Sequence, residues 1–341
     1  MIRTNIKGTT VMVFKMMLKM MKAANFSIKR KIFFEQRKRG LKEREIKTEP
    51  EKFAGDVYYY TCARRIDWKN PVFLDDKLTI LKTGLYLNNE LVVQCADKYR
   101  VREYVEECGL SNILNELYGV WTDYKDIDIS KLPNSFALKR NNDAGGGLIV
   151  KDKKKEKDLD EKVEKLGKGM VRDCGLIFAE YQYQYIEPCY ICEKYIENED
   201  GRYPYDYKFF VMNGKARYIL TCIGREEKGK MLRFMTDRDF RLFPVMPEER
   251  QVTDEEIQQY RPQVLNEMIS AAERLAEPFP FVRVDLYQYE GKVLFGELTF
   301  TPMGCMNTYI NTIGQQIMGS YLDISEKTYS ARIVSADRRR K

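Results

Sequence analysis

The sequence predicts a chain of helices and antiparallel strand pairs, packed as two or three subdomains, on three observations. Its 341 residues exceed what one compact core serves well. Two turn dipeptides, Asn213-Gly214 and Glu290-Gly291, sit between strand-like runs, and the first is a strong two-residue hairpin signal. Segments with apolar residues at helical spacing alternate with those runs, one of them opened by a Thr253-x-x-Glu256 capping box. Hydrophobic residues at 44% and charged residues at 32% are an ordinary globular balance, and 23 tyrosines and 17 phenylalanines supply large buried areas, so wholesale disorder is excluded.

The first element is a basic arm. Residues 1–52 hold 15 Lys/Arg against 5 Asp/Glu, a net +10, which leaves 43 against 46, a net −3, for the remainder of the +7 chain. Val11, Phe14, Leu18 and Met21 recur at helical spacing with lysines between them, which suits an amphipathic helix on the protein or on a membrane surface. Such an arm attracts anionic lipid, nucleic acid or a polyanionic polymer through one weakly specific Coulomb field, and a solvated tail is the alternative. Lys15 and Lys19 break the apolar run and no small-residue cleavage site follows, so no export is expected. Nothing approaches the roughly 18 uninterrupted apolar residues of a membrane span.

After the arm, Lys98 to Tyr118 reads as two helices interrupted near Gly109. Lys131-Leu-Pro133-Asn134 breaks the chain, Phe136 to Arg140 reads as a strand, and a second strand, Leu148 to Lys151, follows a glycine-rich turn. Lys153 to Gly169 carries Leu159, Val163 and Leu166 at helical spacing and ends on glycine, as helices often do. Tyr181 to Ile196 is aromatic and β-branched, and Asn198 to Gly201 makes a turn. Tyr205–Phe210 and Ala216–Cys222 flank the first hairpin turn. Thr253 to Glu277 reads as one helix closed by Pro278 and Pro280, and Phe281–Tyr289 and Val293–Thr301 are alternating strands.

The chain has no histidine, so neither a histidine-activated nucleophile nor a histidine base is available. Its eight cysteines are scattered, which fits reduced thiols. Cys189 and Cys192 form a single C-x-x-C without the further ligands that a structural zinc takes.

Three constellations could carry chemistry. Lys139 ends a strand beside Asn141-Asn-Asp143-Ala144-Gly145-Gly146-Gly147, and small residues let backbone N–H groups approach phosphate oxygens; a flexible hairpin with an incidental lysine would look the same. Asp285 and Glu297 lie in apolar strands where a carboxylate needs a cation, either Mg²⁺ between phosphates or Arg283 in an ion pair. A two-residue turn at Glu290-Gly291 would set Asp285 opposite Gly296, so the metal reading requires an odd loop or a bulge, which also puts Arg283 and Thr299 on that face. Finally, Glu193-Lys194-Tyr-Ile196 leads from a strand into an extended linker that offers backbone groups to an adenine edge, with Lys208 within reach of a phosphate; an ordinary strand end fits as well.

In order, Lys98-Tyr-Arg-Val-Arg-Glu-Tyr-Val105, Leu132-Pro-Asn-Ser-Phe-Ala-Leu-Lys139, the glycines, Glu193-Lys-Tyr-Ile, Asp206-Tyr-Lys-Phe-Phe, Arg283-Val-Asp-Leu-Tyr and Phe295-Gly-Glu-Leu-Thr-Phe-Thr-Pro302 resemble the TupA-like ATP-grasp family of bacterial cell-surface polymer synthesis, over roughly residues 60–325. The resemblance implies an α+β ATP-grasp fold with two lobes clasping Mg-ATP between antiparallel sheets. After the basic arm (1–52), it implies a pre-ATP-grasp region (53–134), a small lobe with the glycine loop (135–192) and a large lobe with the metal site (193–325), and a basic tail (326–341) follows. Lys139 and Lys208 would contact phosphates, the 143–147 loop would close over them, and Glu193 to Ile196 would hold adenine. Asp285 and Glu297 would bind Mg²⁺, and Thr299 stands where many such enzymes place a metal-binding asparagine. Arg283 and Lys208 would be the catalytic cations, and Arg225 a further anion anchor. The family loop commonly reads Asn-His-Gly-Ser-Gly, so Asp143 adds a negative charge here. The implied activity is a cytoplasmic ATP-dependent ligase joining a carboxylate to an amine on a cell-surface glycan or its precursor, with peripheral membrane contact through the arm and no specific nucleic acid. A catalytically weak nucleotide-binding scaffold and a glycosyltransferase are the alternatives.

Overall fold

Two antiparallel sheets organise the chain, and both draw on residues ahead of the strands that carry the sequence motifs. The structure, a computed structural model, describes residues 25–36, 48–142, 147–169, 177–198, 201–224, 231–246 and 252–325. After a helical stretch at 25–36 come α1 (Pro50–Cys62), α2 (Leu74–Thr83), α3 (Glu90–Ala96) and α4 (Val101–Glu107). The first sheet contains β1 (Leu117–Trp121), β2 (Phe136–Arg140), β3 (Gly147–Val150) and, after helix α5 (Leu159–Lys168), β4 (Tyr190–Lys194), in the order β1-β4-β2-β3. The second contains β5 (Asp206–Met212), β6 (Lys215–Ile223) and β7 (Leu232–Asp237). Helices α6 (Asp254–Gln258) and α7 (Leu265–Leu275) follow, then β8 (Phe281–Tyr289) and β9 (Lys292–Thr299), in the order β7-β6-β5-β8-β9. Helix α8 (Thr312–Ser320) follows.

Local chemistry sets most of these boundaries. The β5–β6 connection is the two-residue turn expected at Asn213-Gly214, with positive φ of 54° and 76°, the geometry that suits a right-twisted hairpin. Thr253 and Glu256 form the full capping box on α6. The carbonyls at the end of α5 are gathered by Arg140, whose guanidinium donates to Leu166, to Gly167 at 2.9 Å and to Gly169 at 2.6 Å.

Two expectations need correction. Thr253 to Glu277 is not one helix: α6 ends at Gln258 and α7 begins at Leu265, because Pro262 lacks the N–H a continuous helix needs. The second helix expected in Lys98–Tyr118 is only a single 3-10 turn over Ser111–Ile113. Leu117 and Tyr118 instead begin β1, where pairing with β4 overrides local periodicity.

The larger sheet buries Phe209, Phe281, Val284 and Leu286 in the same core as Met268, Ala272 and Leu275 of α7. That core also takes in Leu78 of α2, Val92 of α3 and Val105 of α4. Two buried tyrosines tie these helices to the sheet and to α7. Tyr86 Oη donates to the Phe281 carbonyl at 2.6 Å and accepts from its N–H at 3.1 Å, and Tyr104 Oη donates to the Leu275 carbonyl at 2.8 Å. The smaller sheet has its own core around Phe136, Leu138, Val150, Val163 and Cys192. The seven described cysteines are free thiols. No described helix is long and apolar enough to cross a membrane.

Candidate nucleotide and metal site

Strand register brings the acidic and basic residues of the second sheet together. Lys208 lies opposite Asp285, Asp285 opposite Glu297 and Arg283 opposite Thr299. Because strand side chains alternate, these residues share one face with Asp206, while Tyr207, Phe209, Val284 and Leu286 turn into the core.

The device that aligns them is a bulge. Glu290 and Gly291 form a two-residue turn with positive φ of 50° and 71°, and regular pairing would set Asp285 opposite Gly296. The register instead slips between Asp285 and Leu286, leaving Gly296 as the extra residue and returning Glu297 to the face of Asp285. Gly296 suits that place because a Cβ there would lie 2.8 Å from the Tyr287 ring and 2.9 Å from the Asp285 carbonyl oxygen. Gly296→Val is therefore expected to cost about 1–3 kcal/mol in denaturant unfolding. It should also weaken any ligand that needs both carboxylates, and an unchanged unfolding midpoint would sink this reading.

The cluster is an ion-pair network. Asp285, 2% exposed, accepts from Arg283 Nε at 2.7 Å and Nη2 at 2.8 Å, and also from Lys208 Nζ. Lys208 reaches Asp206 at 2.7 Å. Arg283 Nη2 donates to Glu297 at 3.2 Å and to Thr299 Oγ1 at 3.0 Å, and Lys98 approaches Glu297 at 4.0 Å. Three cations thus face three carboxylates. Partial burial would push the Glu297 carboxyl up, but Lys98, Arg283 and Lys208 outweigh it and hold the group below the ordinary carboxylate range. Burial works against the charge on Arg283 and Lys208, yet Asp285 in contact with both raises their basicity above ordinary values. The Arg283 ion pair weighed as the alternative to a metal is therefore present.

The loop after β9 is held from beneath by α2. Asp75, 4% exposed, accepts from Asn307 N at 3.1 Å and from Asn307 Nδ2 at 2.7 Å. Asn307 Oδ1 in turn accepts from Tyr309 Oη at 3.1 Å. Lys82 Nζ, two turns along α2, donates to the Gly304 carbonyl at 3.0 Å, fixing a stretch in which Met303, Gly304 and Cys305 all have positive φ. Burial pushes the Asp75 carboxyl up to about 6 against the hydrogen bonds from Asn307 and Gln315 and the charge of Arg64.

On the smaller sheet, Lys139 lies opposite Gly147, the first residue of β3, while Asp143, Ala144, Gly145 and Gly146 lie outside the described residues, as does Arg225. Lys139 Nζ pairs with Glu193 at 3.0 Å, and Arg102 meets the same carboxylate at 3.3 Å. Lys194 N donates to the Glu116 carbonyl at 2.9 Å and the Lys194 carbonyl accepts from Asn115 Nδ2 at 2.9 Å, so this part of the linker backbone already has partners. Ile196 is half-buried just beyond.

Sequence reasoning missed what joins the two sheets. Asp97 Oδ1 accepts from the N–H groups of Tyr99 at 2.7 Å and Arg100 at 3.1 Å, and its other oxygen accepts from Asn141 Nδ2 at 2.9 Å. Asn141 also takes the Cys189 N–H at 2.8 Å, so the start of the glycine loop is pinned to the entry of α4. Lys98 then faces Glu297 on one sheet and Arg102 faces Glu193 on the other. The signal was present in the Lys98-to-Val105 run, where two cations stand four residues apart.

A family model described as TupA-like ATPgrasp matches residues 76–323. The chain belongs to the TupA-like ATP-grasp family. Its helices and two antiparallel sheets are an α+β ATP-grasp fold with a helical N-terminal region. Among solved structures, the TupA-like chain is similar to D-alanine–D-alanine ligase from Bacillus anthracis complexed with ATP. Identity is 15% and TM-score 0.39, over 77% of this chain and 70% of that one. It is also similar to the Helicobacter pylori D-alanine–D-alanine ligase (13%, TM-score 0.38, 69% and 61%). The ATP-grasp ligase PsnB with a precursor variant, Mg and ADP gives 10% and TM-score 0.34, over 76% and 65%. No curated protein sequence matches it.

The residues of this TupA-like chain fit a divalent cation of the hard, oxygen-seeking kind. Mg²⁺ is usually held by one or two carboxylates completed by phosphate oxygens and water. Asp285 and Glu297 are adjacent carboxylates on neighbouring strands, and Glu297 is 40% exposed. No group of three or more histidine, cysteine or carboxylate side chains is arranged as a metal site among the described residues. Phosphate would have to complete the shell. The Thr299 hydroxyl donates to Glu297 at 3.2 Å while accepting from Arg283, and so orients the carboxylate.

Proposed function

We propose that this TupA-like chain is a cytoplasmic ATP- and Mg²⁺-dependent ligase that activates a carboxylate as an acyl phosphate. It then joins the acyl group to an amine or other nucleophile in the synthesis of a bacterial cell-surface glycan or polypeptide. The observation that carries this reading is the balanced network on the β5–β8–β9 face, where each carboxylate already has a cation that phosphate could take over.

In this reading Lys139, Lys208 and Lys98 exchange their carboxylate partners for phosphate oxygens, and the loop with Asp143, Ala144, Gly145, Gly146 and Gly147 closes over them. Adenine lies along Glu193, Lys194 and Ile196. Asp285 and Glu297 hold Mg²⁺, with Thr299 orienting Glu297, and the metal supplies neutralisation of phosphate charge. The substrate carboxylate oxygen attacks the γ-phosphorus, the bond to the ADP oxygen breaks, and ADP leaves. The nucleophile then attacks the acyl carbon, inorganic phosphate departs, and the nucleophile's proton passes to solvent. Arg283 stabilises charge developing on the acyl oxygen. With no histidine in the chain, positioning and charge neutralisation carry the rate.

A second reading, a nucleotide-binding scaffold with weak turnover, is favoured by one observation: Asp143 sets a negative charge in the loop that should meet phosphates. Thermal unfolding with and without Mg-ATP tests nucleotide binding. Saturation at a hundred times Kd adds about 2.7 kcal/mol, a shift of several degrees that should vanish in Lys139→Ala and in Glu297→Gln. No shift in the wild type at millimolar Mg-ATP would end both readings. A shift without ADP release over a broad panel of carboxylates and amines would leave only the scaffold.

A further inference from the structure

The helical stretch at 25–36 presents two apolar sides. Phe26 and Phe33 turn inward: Phe26 packs edge-on against Tyr59 of α1 at 5.2 Å, and Phe33 stacks on Tyr60 at 4.7 Å. Ile28 and Ile32, one turn apart, turn outward and are 61% and 52% exposed. Between them Lys29, Arg30 and Lys31 are all exposed. Arg65 and Trp68 lie beside the seat of this helix on α1. Arg65 lies over the Tyr59 ring at 4.3 Å, and Trp68, 38% exposed, approaches Gly55, one turn before Tyr59 on α1.

Exposed isoleucines at helical spacing are not needed for a solvated face, and the inward phenylalanines already anchor the helix. Cations alone would serve a nucleic acid or a soluble polyanion equally well. The combination of apolar tips, flanking cations and an interfacial tryptophan fits an anionic bilayer, into which isoleucine side chains sink while lysine and arginine stay at the headgroups. Charge complementarity points the same way, since residues 1–52 carry a net +10 and the remainder a net −3.

We infer that Ile28 and Ile32 with Lys29, Arg30 and Lys31, together with Trp68 and Arg65 beside the helix's seat on α1, dock the protein on anionic phospholipid. This docking is separate from nucleotide binding: it uses none of the residues of the nucleotide site, so either can fail without the other. It would hold the enzyme beside membrane-borne acceptors, and in that respect alone it rests on the proposed reaction.

The test is sedimentation of the full-length protein with phosphatidylcholine vesicles with and without phosphatidylglycerol. Binding is expected only with phosphatidylglycerol and should be released by molar salt. Substituting Lys29, Arg30 and Lys31 together by glutamine should weaken it on the order of a hundredfold, at roughly fivefold per cation. Ile28→Ser with Ile32→Ser should weaken it more than tenfold at unchanged charge. Without any variant in the patch, emission of Trp68 should shift blue and be quenched by brominated lipid, and Trp68→Phe should abolish that response while Trp121 reports none.

Failure of the wild type to pellet with anionic vesicles overturns the inference. Retention of full binding by the isoleucine variant also overturns it, leaving a surface for polyanions such as heparin or single-stranded DNA. A lipid-free dimer that dissociates in the isoleucine variant would assign the patch to a second copy instead.

Discussion

Asp285→Ala is expected to lower stability by about 3–5 kcal/mol in chemical denaturation, while Glu297→Gln lowers it by about 1 kcal/mol or less. The two carboxylates face each other across one strand pair, yet their surroundings differ. Asp285 is 2% exposed and is the shared acceptor of Arg283 and Lys208. Its removal leaves two buried cations to redistribute, Lys208 onto Asp206 and Arg283 onto Glu297. Glu297 is 40% exposed, so water takes over much of what it offers. The functional ranking should be reversed in sensitivity: Glu297→Gln keeps the fold and loses the stabilisation by Mg-ATP. Equal destabilisation by the two substitutions would show that the network is not organised around Asp285.

The second large effect concerns acid. Asp75 is buried with Tyr58, Cys62, Cys305 and Tyr309 nearby, and the cation that acts on it is Arg64. Its carboxyl titrates at about 6 in the folded protein, above its ordinary value of 3.8. Between those values the folded state binds the proton and the unfolded state does not. Stability from this group is therefore greatest below the unfolded value and is lost as pH rises through the folded one. Comparing wild type with Asp75→Asn from pH 4 to pH 7 should reveal a difference that changes by about 2 kcal/mol, the wild type gaining on acidification. Parallel pH profiles would remove the case for a costly buried charge. Neutralising Asp75 should also loosen the Asn307–Tyr309 connection, so any activity should show a limb in the same range.

What could be read from the chain was what depends on neighbours in sequence. The Asn213-Gly214 turn, the Thr253–Glu256 box and the glycine ending α5 each state their geometry within four residues. The pairing of Asp285 with Glu297 was legible only as a condition, because whether a loop or a bulge supplies the extra residue depends on how Gly296 meets Tyr287. Leu117 and Tyr118 looked helical because β1 owes its state to β4, more than sixty residues away. The break at Pro262 is legible in the sequence, since proline cannot continue the helix that the apolar spacing suggests. Asp206 and Asp75 give no local sign of their partners, and the spacing of Lys98 and Arg102 shows two cations but not the carboxylates they meet, since each meets a group brought near only by the fold. The motifs fall on the two sheets, and the cross-links between those sheets come from the region ahead.

That region changes what counts as the smallest autonomous unit. A chain begun at residue 135 would retain Lys139, Asp285, Glu297 and every strand of the second sheet. It would lose β1 from the edge of the first sheet, the Asp97 carboxylate that holds Asn141, and the two tyrosines bonded to Phe281 and Leu275. Polar backbone at Phe281 and apolar surface on the back of the second sheet would then meet water. Residues 86–121 thus behave as an inner wall shared by the two sheets, and an evolutionary or engineered exchange of that segment would have to carry over its contacts with both.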